Sequence, residues 1–265
     1  MKILCLVLAS VLFSASIHAQ DRGFSNDPKA RNAALLVSSA HGLPGLDYDI
    51  DNVEKMATHS ASGFTVEKLE HGKGTVSQIA KELVRMTDSS DASATFFFYF
   101  TGHGGKGTVY AEDRSMRISE IRAALEEGRA QWGPMARLTF VVDSCHSGSL
   151  VDPLRSLKPD TFFNSPQVLG QEMVDEIVET LAPKRGEAAL YDSLFAFVSA
   201  QANETCLAGS KGSAFTVALA NAWSRAVEQK YTVEQFIADT QKGTKGSHPV
   251  ARLVPAELAQ EVLVP

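Results

Sequence analysis

Apolar and β-branched residues along the chain gather into short runs at 34–39 (ALLVSS), 64–69 (FTVEKL), 95–100 (TFFFYF), 137–142 (RLTFVV) and 193–199 (SLFAFVS). Runs this short and this apolar read as strands buried on both faces of a sheet. Between them the period changes to that of a helix. Ile50, Val53 and Met56 share one face of 49–60; Val76, Ile79, Ala80 and Leu83 share one of 76–86, with Thr75 placed to cap it. Ile118, Ile121 and Leu125 make the stripe of 118–127, and the segments 214–229 and 233–242 repeat the pattern. Strand and helix alternate, which predicts an α/β domain with a mostly parallel sheet and helices on both faces. No internal repeat and no low-complexity tract interrupts it.

The stretch 151–189 breaks the rhythm. Pro153, Pro159, Pro166 and Pro183 are spread along it, and its one amphipathic piece is 172–181. A connection of this length inside a compact domain is usually functional or disordered. Its end, APKRGEAA at 182–189, has an exposed, basic character.

Composition narrows the picture. The chain is 44% hydrophobic and 21% charged with a net charge of -6, ordinary globular values that argue against a nucleic-acid partner. Residues 1–19 carry Lys2, an apolar run over 3–13 and small residues before Ala19, the pattern of a secretory signal peptide cut after Ala19. That run is too short to span a bilayer, and no other segment is long and apolar enough. A soluble periplasmic or secreted protein without a stable membrane anchor is therefore expected. Removing the signal removes Cys5 and leaves Cys145 and Cys206 where disulfides persist. They are either one bridge or at least one reactive thiol.

Ligands of open α/β sheets bind outside the carboxyl ends of the strands. There TFFFYF runs into TGHGGKG, placing His103 among glycines, and RLTFVV runs into DSCHSG, placing Cys145 in a polar turn. If these strands are parallel neighbours, imidazole and thiol stand at one edge, the arrangement that activates a cysteine. The Gly104 amide is then available to stabilise an oxyanion.

The blocks YFTGHGG and FVVDSCHSGSL together resemble the histidine and cysteine blocks of the caspase-like cysteine peptidases, on their metacaspase side. LPGLDYDIDNVEKMATHSASGF resembles the family's first loop and helix, SLFAFVSAQANETC and GSAFTVALANAW its small-subunit strand and helix, and SHPVARL a final strand. The resemblance implies a caspase-like three-layer sandwich over 30–265, with a large-subunit part at 30–150, a linker at 151–189 and a small-subunit part at 190–265. It implies that Cys145 is the nucleophile, His103 its base, and the amides of Gly104 and Cys145 the oxyanion hole. The resemblance also implies that Asp143 lies on the wall of the S1 pocket, where an anion selects arginine or lysine; a carboxylate capping the turn is its competing role. A second acid from the first loop joins it: Asp49 aligns best, Asp47 and Asp51 lie beside it, and a helix N-cap is the competing role for Asp49.

Three departures matter. The histidine block reads Phe-Thr-Gly-His where the family shows Tyr-Ser-Gly-His, a change that keeps the hydroxyl. The loop after His103 is short and lacks the acidic insertions that bind calcium in many members, so no metal and no cofactor is expected. Cys206 is an additional thiol. An enzyme selecting basic residues would also be able to cut its own linker after Lys184 or Arg185. The expected activity is thus endopeptidase cleavage of peptides or proteins; the competing reading is a caspase-fold binding or regulatory protein without turnover. Nothing in the sequence sets the oligomeric state.

Overall fold

The computed structural model describes residues 31–263 except 40, 60–62, 89–90, 92–93, 106, 146–165, 184–188 and 200–207. The expected signal peptide, Cys206 and the pair Lys184 and Arg185 lie outside the described residues.

Strands β1 (Ala33–Ser39), β2 (Thr65–Leu69), β3 (Thr95–Gly105), β6 (Met135–Cys145) and β7 (Tyr191–Val198) run parallel, and β10 (Val250–Val254) pairs antiparallel with β7. Their order across the sheet is β10-β7-β6-β3-β1-β2. β3 shows why the apolar runs have no polar alternation. Phe96, Phe98 and Phe100 pack with helices α2 (Val76–Thr87), α3 (Ile118–Arg129) and α4 (Pro166–Leu181). Phe97 and Tyr99, on the opposite face, pack with α1 (Leu46–Thr58), α5 (Ala214–Gln229) and α6 (Val233–Gly243). Both faces are buried, as a three-layer sandwich requires.

The five helices read from periodicity are present within a few residues of their expected bounds, and Thr75 caps α2 by accepting from the Gln78 amide at 3.4 Å. The irregular 151–189 stretch instead holds a helix of 16 residues, α4, which starts at Pro166, where a proline opens a helix without losing a bond. Val174, Ile177 and Leu181 of α4 are fully buried. Two short hairpins had no sequence signal. They are β4 (Thr108–Tyr110) with β5 (Ser115–Arg117), and β8 (Ala208–Gly209) with β9 (Gly212–Ser213).

The chain leaves β1 towards β2, then crosses back to β3 on the other side of β1. Strand order therefore reverses between β1 and β3, the place where open sheets form their ligand crevice.

Candidate active site

His103 and Cys145 were expected in turns; both are strand residues. β3 continues past its aromatic run to Gly105, and β6 continues to Cys145 as its last residue. The two strands are parallel neighbours in a register that pairs Thr101 with Asp143, Gly102 with Ser144 and His103 with Cys145. Backbone pairing, which is indifferent to side-chain polarity, carries the strands beyond their apolar cores. β4 adds to the end of β3 and pairs Gly104 with Val109. Gly104 has a packing reason of its own: a Cβ there would lie 2.9 Å from Cβ of Ser144, closer than real side chains approach.

His103 is half-buried. Its Nδ1 is buried and has no hydrogen-bond partner among the described residues. Burial holds the imidazole below its ordinary value, the neighbouring His41 lowers it further, and a hydrogen bond from the ring to the His41 main chain opposes both. The ring is thus biased towards the neutral form that accepts a proton. His41 stands just past the end of β1, with its ring centroid 6.4 Å from that of His103 and its Nε2 2.9 Å from the Ala111 carbonyl.

Below this edge lie two carboxylates. Asp143 is 3% exposed and Asp49 1% exposed, whereas Asp47 and Asp51 are on the surface. Asp49 does not cap its helix; Gly45 occupies that position, and Asp49 follows in the first turn, pointing inward. The Ser213 amide donates to Oδ1 of Asp49 at 2.7 Å and the Thr101 hydroxyl to Oδ2 at 3.2 Å. Asp143 Oδ2 accepts from the Ser213 hydroxyl and from Thr216 Oγ1 at 2.6 Å, and Ser199 also bonds this carboxylate. Ser213 is the N-cap of α5, accepting from the Thr216 amide at 2.9 Å, so the positive end of that helix faces Asp143. Tyr99 OH lies 2.6 Å from Thr216 Oγ1. Burial raises Asp143 and pushes Asp49 up to about 7, with the charge of Asp143 as the second cause for Asp49.

The β8–β9 hairpin reaches this pair because Gly212 has no side chain. Its φ is 96°, and a Cβ there would stand 2.5 Å from Asp49 Oδ1. Thr101, Ser213, Thr216 and Tyr99 were missed by sequence reasoning, although a serine three residues before a threonine at the start of an apolar helix is a legible cap. His41 carries no signal in the sequence. As for metals, the described residues hold one cluster of candidate ligands, Asp47, Glu70 and His71, with ligand atoms within 4.8 Å of one another. Its Asp47 and His71 are surface-exposed, whereas Asp49 and Asp143 are buried.

A parallel sheet with helices on both faces, and a histidine in register with a cysteine at the carboxyl edge, define a caspase-like domain. The family model described as the caspase domain of peptidase family C14 matches residues 31–248, and the chain belongs to that family. The fold is shared with protein GSU0716 from Geobacter sulfurreducens (TM-score 0.63, 17% identity, covering 88% of this chain and 98% of that one). It is also shared with caspase-1 from Spodoptera frugiperda (TM-score 0.55, 14% identity, 88% and 90% covered). No curated protein matches the sequence significantly. Family membership supports a cysteine-peptidase type of function with protein substrates.

Proposed function

We propose that the chain is an exported cysteine endopeptidase of metacaspase type that cuts after arginine or lysine. The observation that carries this reading is the β3–β6 register, which sets His103 opposite Cys145 with two buried carboxylates beneath. In the proposed cycle the neutral His103 takes the proton of Cys145, and the thiolate attacks the scissile carbonyl. The amides of Gly104 and Cys145 receive the oxyanion. His103 returns the proton to the leaving amine, leaving a thioacyl enzyme. Water, deprotonated by His103, then attacks that thioester and frees the acid product. Asp143 and Asp49 receive the cationic P1 side chain. No calcium or other metal is assigned a role.

The same specificity extends to self-processing in the 151–189 linker, after Lys184 or Arg185. Wild-type and Cys145→Ala proteins incubated side by side, with fragments mapped by mass spectrometry, test it: cleavage at these residues only in wild type is expected, and a wild-type chain that stays intact while cutting peptides would remove self-processing.

Peptides bearing P1 Arg, Lys or Asp and a fluorogenic leaving group, offered under reducing conditions to wild type and Cys145→Ala, test the reading. Hydrolysis of the Arg and Lys peptides that vanishes with Cys145→Ala is expected. No Cys145-dependent hydrolysis would favour a binding protein, and preference for P1 Asp would remove the pocket role of Asp143.

A further inference from the structure

Among the described residues no cation stands near the acid pair, unlike an ordinary buried carboxylate with its partner. α1 contributes Asp49, with Asp47 and Asp51 facing solvent; β3 contributes Tyr99 and Thr101; β6 contributes Asp143. The start of α5 contributes Ser213 and Thr216, and the end of β7 Ser199. β1 has no ionisable side chain. Lys68 of β2 is engaged by Glu54 and Glu70, and Lys211 at the tip of the β8–β9 hairpin is exposed. Among the described residues neither Asp49 nor Asp143 has an ion pair. Two bare negative charges in a dry site repel each other and lose their hydration, a situation that one shared proton relieves.

The donors around the pair are unequal. Asp143 takes the hydroxyls of Ser213 and Thr216, shares that of Ser199 with the Ser144 carbonyl, and faces a helix N-terminus. Asp49 takes one amide at 2.7 Å and one hydroxyl at 3.2 Å, and that hydroxyl, on Thr101, is equally able to accept. Thr216 spends its single proton on Asp143, which makes Tyr99 the donor in the Tyr99–Thr216 contact. Resting on the reading that this pair receives the P1 side chain, we propose that the empty pocket holds one proton, on Asp49 Oδ2, and that an entering cation expels it to solvent. Thr216, supported by Tyr99, is the positioning residue that keeps Asp143 the charged member. Recognition of arginine or lysine is then an exchange of a proton for a cation, and a neutral isostere gains nothing from it. The elevation of Asp49 to about 7 accords with this assignment.

The test uses benzamidine, a small amidinium that stands in for the arginine head group, and the Cys145→Ala protein, so turnover is not needed. Calorimetric titration at pH 6 in two buffers of different ionisation enthalpy counts the protons. About one proton released per benzamidine bound is expected, with affinity rising about tenfold per pH unit up to roughly pH 7 and level above it. Asp49→Asn in the same background abolishes both the release and the slope. Thr216→Val, which deprives Asp143 of a donor, makes the pair hold its proton more tightly and carries the slope to higher pH; Tyr99→Phe acts in the same direction more weakly. Benzamidine binding without proton release and with flat affinity from pH 5.5 to 8 would overturn the proton exchange and leave the pocket assignment standing. Absence of benzamidine binding across that range would overturn the pocket assignment, and the exchange with it.

Discussion

The upper and lower halves of the candidate site are built by different means. His103 and Cys145 are brought together by two adjacent strands alone: one register, β3 on β6, suffices. Asp49 and Asp143 are brought together by α1, β6, the β8–β9 hairpin and the cap of α5, and one residue, Ser213, touches both acids. The upper pair is thus as robust as the centre of the sheet. The lower pair depends on four elements meeting and burying charge, which costs stability. On the proposed reading, reactivity sits on the simplest part of the fold, whereas selectivity sits where the fold is most composite and most costly.

Substitutions should respect that division. Cys145→Ala is expected to lower kcat/KM by at least about 10³-fold for every peptide, with thermal stability nearly unchanged. Asp143→Asn is expected to lower kcat/KM for P1 Arg by roughly 10²-fold while hardly touching a P1 citrulline peptide, the loss of one charged contact in a dry site. A comparable loss on both peptides would mean that the two halves are not separable and would break the comparison.

Asp49→Asn probes the cost. In the folded chain Asp49 holds its proton up to about 7, against an ordinary value of 3.8. Between those values the folded chain binds more protons than the unfolded one, so the contribution of Asp49 to stability falls as pH rises and is fully lost above about 7. The ceiling on that cost is on the order of 4 kcal/mol, and relaxation around the pair reduces it. Asp49→Asn is therefore expected to be more stable than wild type by about 1–3 kcal/mol at pH 8, with the difference fading below pH 4. Denaturant melts at both pH values measure it. An equal or lower stability at pH 8 would show that the pocket is not bought with stability.

The same division governs what the sequence discloses. The buried strands, the alternation of helices and the pairing of His103 with Cys145 follow from local runs and from short blocks at strand ends. Asp49 is singled out among three acids spaced two apart only by resemblance, because it takes the helix register, with Ile50 and Val53 buried beside it, to turn one inward. Strand lengths were underestimated at TGHGG and DSC, where pairing outlasts apolar character. The β8–β9 hairpin, of two residues a side, has no periodicity to read; its need for Gly212 appears only when Asp49 is seen 2.5 Å from where a Cβ would be. Ser213 and Thr216 look like an ordinary cap and are one, and their second task as donors to Asp143 is a tertiary fact.

The smallest expected effect concerns the one residue that belongs to the upper half and yet is held by the loops. His41 fixes its ring on the Ala111 carbonyl, places its own main chain against His103, and lowers the proton affinity of that imidazole. His41→Gln retains a donor for Ala111 but removes the charge. With less repulsion His103 takes a proton at higher pH, and since the base must be neutral to act, the acid limb of kcat/KM moves to higher pH while the plateau is kept. His41→Ala loses the anchor as well and should lower the plateau by a few-fold in kcat with KM little changed. Profiles of both variants against wild type with a P1 Arg peptide separate the two contributions. If the glutamine variant retains the wild-type limb, His41 acts on His103 by placement alone, and the upper half of the site is set wholly by backbone.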